Sequence, residues 1–127
     1  MHKVILIFFG SGLGGIFRYA LQGWFQRFAN ASFPLGTLVV NVVGCVLIGF
    51  LTALFTGPVL IREEYRVGLT IGILGGFTTF SAFGLETFAL ANAGQFWFAV
   101  LNVVFSCGLG FVAVWIGYRV AEYFFGV

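Results

Sequence analysis

The chain has 127 residues, of which 61% are hydrophobic and only 8% are charged, and its mean hydropathy is +1.09. A soluble domain carries about 25% charged residues, so six basic and four acidic side chains cannot cover the surface of a soluble protein of this length. Composition therefore predicts an integral membrane protein surrounded by lipid. A net charge of +2 without a basic stripe gives no reason to expect a nucleic-acid partner.

Four apolar windows are long enough to cross a bilayer, which takes about 20 residues. They cover residues 4–24, 35–56, 66–91 and 96–121. Backbone polar groups in lipid must bond within their own segment, so each window is predicted to be a helix. The short connections leave no room for a second domain. The sequence thus predicts an all-α fold in which residues 1–127 form a single membrane domain.

The third window contains the stretch GGFTTFSAF, residues 75–83, which predicts an interrupted helix. Paired glycines are poor helix formers, and the hydroxyls that follow, those of Thr78, Thr79 and Ser81, can bond backbone groups freed by a break. A break presents carbonyls that can hold a small cation and N–H groups that favour anions. Phe80 and Phe83 share one face here, and the positive edges of their rings tolerate a small anion. Simple ring packing is the competing interpretation.

Other polar side chains at membrane depth are functional candidates because placing them in lipid is costly. For amides and hydroxyls, interhelical hydrogen bonding is the alternative role. Arg18 can reach the membrane interface or give an aqueous vestibule a positive potential. Glu86 can contact an arginine or a threonine, or lie on an ion path. The full set of candidates is Arg18, Thr37, Asn41, Glu86, Asn102 and Ser106.

Glycines recur at helical spacing, with Gly10 and Gly14 on the first span and Gly68, Gly72 and Gly76 on the third. Such spacing lets helices approach closely, so these positions are predicted to serve packing. Four tightly packed helices leave little room for a water-filled path within one subunit. Conduction would therefore have to use an interface between subunits.

Basic residues are unevenly divided between the two ends of the predicted bundle. Lys3, Arg62, Arg66 and Arg119 fall at one end, and Arg27 falls at the other. This count favours cytoplasmic termini. Counts as small as these are also compatible with insertion in both orientations.

Three stretches resemble the signatures of the Fluc (CrcB) family of fluoride channels. They are GGIFRY, which contains Arg18, PLGTLVVNVVGC, which contains Asn41, and ILGGFTTFSAFGLET, which contains Glu86. Their order matches the family over essentially the whole chain. The resemblance implies passive export of fluoride through an antiparallel, dual-topology homodimer in the inner membrane of a prokaryote.

The resemblance also implies roles for individual residues. The backbone carbonyls of Gly75 and Thr78 would hold a structural sodium ion (Na⁺) at the dimer centre. Gly75 would then need its glycine for a special backbone geometry, which a β-branched residue resists. Asn41 would donate its amide to fluoride, and the rings of Phe80 and Phe83 would line the path. The remaining polar residues near the track would be Thr37, Ser81, Glu86, Asn102 and Ser106, with Arg18 at the vestibule.

Two features depart from the family pattern. Relatives carry a ladder of hydroxyl or amide residues on the fourth helix, which Asn102 and Ser106 match but Gly110 and Val114 do not. Gly84 also stands where relatives frequently have a hydroxyl. The outer part of the predicted polar track therefore lacks side chains of the expected type.

Two other functions stay open from the residues. A small four-helix multidrug or cation exporter needs a membrane-embedded carboxylate, typically on the first helix, where this chain has none. A non-transporting assembly protein would use the polar groups only as contacts between helices. An enzyme is not expected, because the sequence offers neither a nucleophile–base pair nor a cluster of metal ligands.

Overall fold

The computed structural model describes residues 1–29, 32–57 and 60–127. The first span, α1, covers His2–Gln26, and the second, α2, covers Leu35–Thr56. The third span lies within Glu63–Asn92, and the fourth covers Phe96–Phe125. All four are long and apolar enough to cross a membrane. The predicted all-α fold class with four spans is therefore confirmed.

The third span is interrupted near its middle, where Thr78 and Thr79 have extended backbone with ψ angles of 157° and 110°. The interruption predicted within residues 75–83 thus falls on two threonines, while the paired glycines before them remain helical. The elements from here on, in chain order, are α3 (Glu63–Val67), a π-helical segment (Gly68–Leu74), α4 (Gly75–Phe77), α5 (Phe80–Asn92) and α6 (Phe96–Phe125).

The third and fourth spans extend furthest beyond their apolar windows, because charged residues continue them past the hydrocarbon. The third span begins at Glu63 instead of residue 66, and α6 continues to Phe125 instead of residue 121. Glu122, on the extension of α6, forms an ion pair of 2.8 Å with Arg119 at the end of the predicted window. Gly126, with a φ of 63°, adopts the left-handed conformation that commonly ends a helix.

The most extensive contact between helices in the described chain joins α2 and α6. Glycine makes this contact close, because an added Cβ on Gly49 would meet the Val114 carbonyl oxygen and one on Gly117 would meet the Val46 carbonyl oxygen. Gly110 is buried against the same helix. Positions 110 and 114, where the polar ladder fails, therefore serve helix packing.

The first half of the third span, residues 63–77, packs against α1 almost backbone to backbone. An added Cβ on Gly14 would meet the Ile73 carbonyl oxygen, and one on Gly76 would meet the Ser11 carbonyl oxygen. Only glycine permits such an approach at either position. The packing role predicted from the glycine spacing is confirmed.

Polar contacts tie the connections together at each end of the bundle. At one end, Lys3 Nζ lies 2.8 Å from Glu63 Oε1, which joins the start of α1 to the start of the third span. At the other end, Gln95 Nε2 donates to Ser32 Oγ at 3.2 Å. Arg27 caps α1 at this second end, as predicted from its position in the chain.

Candidate functional site: a groove at the helix interruption

Asn41, on α2, bridges the interruption of the third span. Thr79 donates its backbone N–H to Asn41 Oδ1 at 2.8 Å, and Asn41 Nδ2 donates to the Thr79 carbonyl oxygen at 3.0 Å. In a continuous α-helix this N–H would bond to the carbonyl of Gly75, four residues earlier. The Gly75 carbonyl oxygen therefore loses its helical donor. An oxygen of this kind is the type of ligand that a small cation takes.

Threonine hydroxyls complete the ends of the two half-helices. Thr79 Oγ1 accepts from the backbone N–H of Ala82 at 3.2 Å, so it caps the start of α5. Thr78 Oγ1 donates to the Leu74 carbonyl oxygen at 2.9 Å. Ser81 was expected to bond the backbone as well, but its Oγ lies 3.3 Å from Thr79 Oγ1. The hydroxyls of both threonines thus bond backbone groups beside the break, as predicted.

Gly75 does not have the special backbone geometry that was expected of it. Gly75 has ordinary helical angles, φ −63° and ψ −37°, and an added Cβ there would be no closer than 3.8 Å to the Thr70 carbonyl oxygen. The expectation that position 75 needs glycine for a special backbone geometry is wrong. The following residue, Gly76, is the one that requires glycine, because its Cα lies against the backbone of α1.

Aromatic and polar side chains around the interruption border a groove of about 400 Å³. The ring centroids of Phe80 and Phe83 lie 5.5 Å apart, with their planes tilted by 44°. Phe80 is 83% exposed in the single chain, so the groove is open on that side. The predicted anion-friendly groups and the predicted cation ligands meet here, because the wall also contains Asn41, Ser106, Gly75 and Thr78.

A series of hydrogen bonds links α6 to α5 beside this groove. Ser106 Oγ lies 3.5 Å from Asn102 Oδ1, and Asn102 Nδ2 donates to Thr87 Oγ1 at 2.9 Å. Thr87 in turn donates to the Phe83 carbonyl oxygen at 2.7 Å. Asn102 is buried, and it does not line the groove directly. Thr87 was missed by sequence reasoning, although its position one turn after Phe83 places it on the same face of α5.

Glu86 is held by a threonine of α2. Thr37 Oγ1 donates to Glu86 Oε1 at 2.6 Å and accepts from Gln22 Nε2 at 2.9 Å. The sequence left Glu86 a contact with either an arginine or a threonine, and the structure has the contact with threonine. Glu86 Oε2 is buried, and no partner for it lies among the described residues. Gln22 was missed, although it lies one turn after Arg18 on the same face of α1.

Arg18 lies beside the interruption. Its Nη1 donates to the Thr78 carbonyl oxygen at 3.4 Å. Together with Ser81, Thr79 and Gln22 it borders a wide, open groove between α1 and α5. A guanidinium and a hydroxyl are thus placed on one side of the break, while Phe80 and Phe83 border the groove on the other. That Arg18 lies at an aqueous vestibule stays a prediction.

These features define a class of protein: a helical membrane protein with one interrupted span, whose interruption borders a polar and aromatic groove. The chain belongs to the CrcB family, since residues 5–118 match the family described as CrcB-like protein, camphor resistance. It is a multi-pass integral membrane protein of a prokaryote.

Similar proteins cover nearly the whole chain. One from Geobacter metallireducens is 45% identical over 123 residues, which is 97% of this chain and 99% of the relative. One from Solibacter usitatus is 43% identical over 120 residues, covering 94% of this chain and 98% of the relative. One from Geobacter sulfurreducens is 44% identical over 122 residues, covering 96% and 98%. Each of these relatives is named fluoride-specific ion channel FluC.

Proposed function

We propose that this protein is a fluoride-selective ion channel that passes F⁻ passively across the membrane and has no enzymatic activity. The relatives that match it end to end carry that name. The observation that carries the proposal is the groove at the interruption, where an amide, a hydroxyl and two phenyl rings come together. Such groups attract an anion without offering it a fixed positive charge.

Fluoride is small and strongly hydrated, so a pore must replace its water with hydrogen-bond donors. Asn41 Nδ2 has two N–H groups, and only one of them is used by the Thr79 carbonyl. The Ser106 hydroxyl is at a long 3.5 Å from its partner Asn102, so it is weakly held. The edges of Phe80 and Phe83 add weak sites in sequence. Binding that is weak enough to release the ion is what conduction requires.

Several polar residues of the predicted track do not line the groove of Phe80 and Phe83 but lie close to it. Asn102 lies beside the Ser106 hydroxyl and bonds to Thr87 on α5, and Thr37 holds Glu86 outside the groove wall. Ser81 and Arg18 share the open groove on the other side of the break. We assign this groove to the approach of the anion, where a guanidinium raises the local concentration of F⁻.

The functional unit we propose is an antiparallel homodimer. Unpaired backbone polar groups are not tolerated against lipid, yet Gly75, whose carbonyl has lost its helical donor, and the hydroxyl residue Ser81 flank the break on its exposed surface in the single chain, beside the exposed Phe80 ring. A second copy that covers this face would remove those groups from lipid and close the open side of the groove. Basic residues at both ends of the bundle are compatible with insertion in both orientations.

A structural Na⁺ at the centre of that dimer fits the residues present. The Gly75 carbonyl has lost its helical donor to Asn41, and the Thr78 carbonyl already accepts from a cationic group, Arg18. These two oxygens would hold the ion. A bound cation supplies positive charge that offsets the partial negative charge at the end of α4.

Flux measurements in liposomes test the function. Purified protein should dissipate a fluoride gradient when no proton gradient is present, and an equal chloride gradient should persist. Equal leakage of chloride and fluoride would contradict the proposal. A flux that requires a proton gradient would instead favour the exporter considered above, for which Glu86 is the available carboxylate.

Terminal tags test the dimer separately. Tags placed at the N- and C-termini should each be found on both sides of the membrane in intact cells. A single uniform orientation would contradict the antiparallel arrangement and leave the fluoride measurement unaffected.

A further inference from the structure

Packing of α1 brings Arg18 to the end of a half-helix. Gly14, one turn before Arg18, lies against the backbone of Ile73 and Phe77. Because α4 ends at Phe77, Arg18 reaches the C-terminal end of this half of the span. The last carbonyls of a helix carry partial negative charge, so a guanidinium is favoured there.

The Arg18 guanidinium is bound by a neutral backbone carbonyl and not by a carboxylate. In the part of the chain that the structure describes, ion pairs join Lys3, Arg62 and Arg119 to acidic residues, and Arg18 belongs to none of them. Arg18 donates instead to the Thr78 carbonyl oxygen. At 3.4 Å this bond is beyond the usual 2.7–3.2 Å range. The interaction is therefore weak enough to be replaced.

Thr78, whose carbonyl oxygen Arg18 contacts, also borders the other groove. Thr78 borders the groove of Phe80 and Phe83, whereas Arg18 borders the groove of Ser81. Two positive charges on one carbonyl repel each other strongly where water is scarce. A monovalent cation that approaches from the first groove therefore meets the guanidinium at the same oxygen.

We propose that Arg18 and a monovalent cation compete for the carbonyl oxygen of Thr78. The inference rests on the sodium site proposed above. Without the cation, the guanidinium stabilises the end of α4. With the cation bound, the Arg18 side chain turns into the groove of Ser81 and Gln22, where it faces the anion. By linkage, the cation then strengthens anion binding, and the anion strengthens cation binding by the same factor.

Sodium titrations of thermal stability test the competition. The parent protein, Arg18→Gln and Arg27→Gln are purified and melted at increasing sodium, with N-methylglucamine keeping the ionic strength constant. Arg27→Gln is the matched control because it removes the same charge from the end of α1, away from the interruption. We expect the sodium concentration that gives half-maximal stabilisation to be at least about fivefold lower in Arg18→Gln than in the parent. Arg27→Gln should match the parent. An unchanged or higher sodium requirement in Arg18→Gln overturns the proposal.

A second measurement uses the parent protein alone, so it decides the matter if Arg18→Gln does not fold. Phenylglyoxal modifies accessible arginines, and mass spectrometry of peptides reports the rate at each one. Sodium should raise the modification rate of Arg18 relative to that of Arg27. An equal rate with and without sodium overturns the competition.

The two proposals fail in different ways. If sodium stabilises the parent and Arg18→Gln at the same concentration, the sodium site stands and the competition is wrong. If sodium has no effect on the parent, both the sodium site and the competition are wrong. The fluoride flux assay is independent of these outcomes and tests the channel function by itself.

Discussion

The two halves of the third span are held in the bundle by different interactions. The first half, residues 63–77, buries Gly68, Gly72, Leu74 and Phe77 and touches the backbone of α1. The second half, α5, has Leu90 as its only buried residue and is tied to neighbouring helices by side-chain hydrogen bonds. The first half should therefore be sensitive to added volume, and the second to the loss of a donor or an aromatic ring.

The largest expected effect comes from adding volume where α1 contacts the first half of the third span. Gly14→Val places a side chain against the Ile73 carbonyl, where backbone cannot yield. Overpacking costs about 1–3 kcal/mol and occasionally more, and we expect the upper end because two backbones must separate. Gly12→Val is the matched control, since an added Cβ at Gly12 has nothing within 4 Å. Thermal unfolding in detergent measures the difference, and equal melting of the two variants would contradict the proposed tight contact.

The next effect concerns the bridge between the halves. Asn41→Asp keeps an oxygen for the Thr79 N–H but loses the donor to the Thr79 carbonyl. A lost bond to a buried acceptor costs about 1–3 kcal/mol, and the new charge repels F⁻. We expect fluoride flux to fall more than about tenfold, which corresponds to about 1.4 kcal/mol. Asn92→Asp, at the exposed end of α5, makes the same chemical change and should conduct like the parent. Normal flux in Asn41→Asp would remove Asn41 from the path.

Replacing a phenyl ring by a branched aliphatic chain tests the second half of the third span, α5, and leaves the packing of the first half unchanged. Phe80→Ile and Phe83→Ile keep the groove apolar but remove the ring quadrupole. We expect folded, dimeric protein with fluoride flux reduced severalfold. Phe88→Ile is the control, because Phe88 is also exposed on α5, at 67%, and does not border the groove. Parent-like flux in both groove variants would assign these rings to packing alone.

The smallest effect is expected at Thr78. Thr78→Ser keeps the hydroxyl that bonds to Leu74 and loses only the methyl group that faces Gly44. Loss of one buried methyl group costs about 0.8 kcal/mol, so flux and sodium dependence should stay close to those of the parent. Thr78→Val keeps the volume and removes the hydroxyl, and it should melt at a lower temperature than Thr78→Ser. The reverse order would mean that packing against α2 matters more than the bond to Leu74.

Sequence patterns predicted the features that depend on a single helix. Hydropathy located the four spans, glycine spacing located the close contacts of α1, and the i, i+3 spacing of Phe80 and Phe83 placed their rings together. The polar break was also visible, because hydroxyls follow paired glycines there. Its exact residues were not, since glycine can be helical as well as irregular.

The partners of individual polar side chains on other helices were beyond the sequence. Periodicity assigns a residue to a face of its own helix, but it does not say which group on another helix it meets. The bonds from Asn41 to Thr79, from Thr37 to Glu86 and from Arg18 to Thr78 therefore emerge only from the structure. The same reason hid Gln22 and Thr87, whose partners lie on other helices.

The π-helical segment, Gly68–Leu74, sets the rotation of everything that follows it in the third span. A π-helix arises when a helix accommodates an extra residue, and each residue of an α-helix turns the chain by about 100°. If this segment were α-helical at its present length, Gly76 would rotate away from Ser11 and Thr79 away from Asn41. The π-helical conformation of this segment therefore decides which way the break faces, as much as the identity of any residue in the groove does.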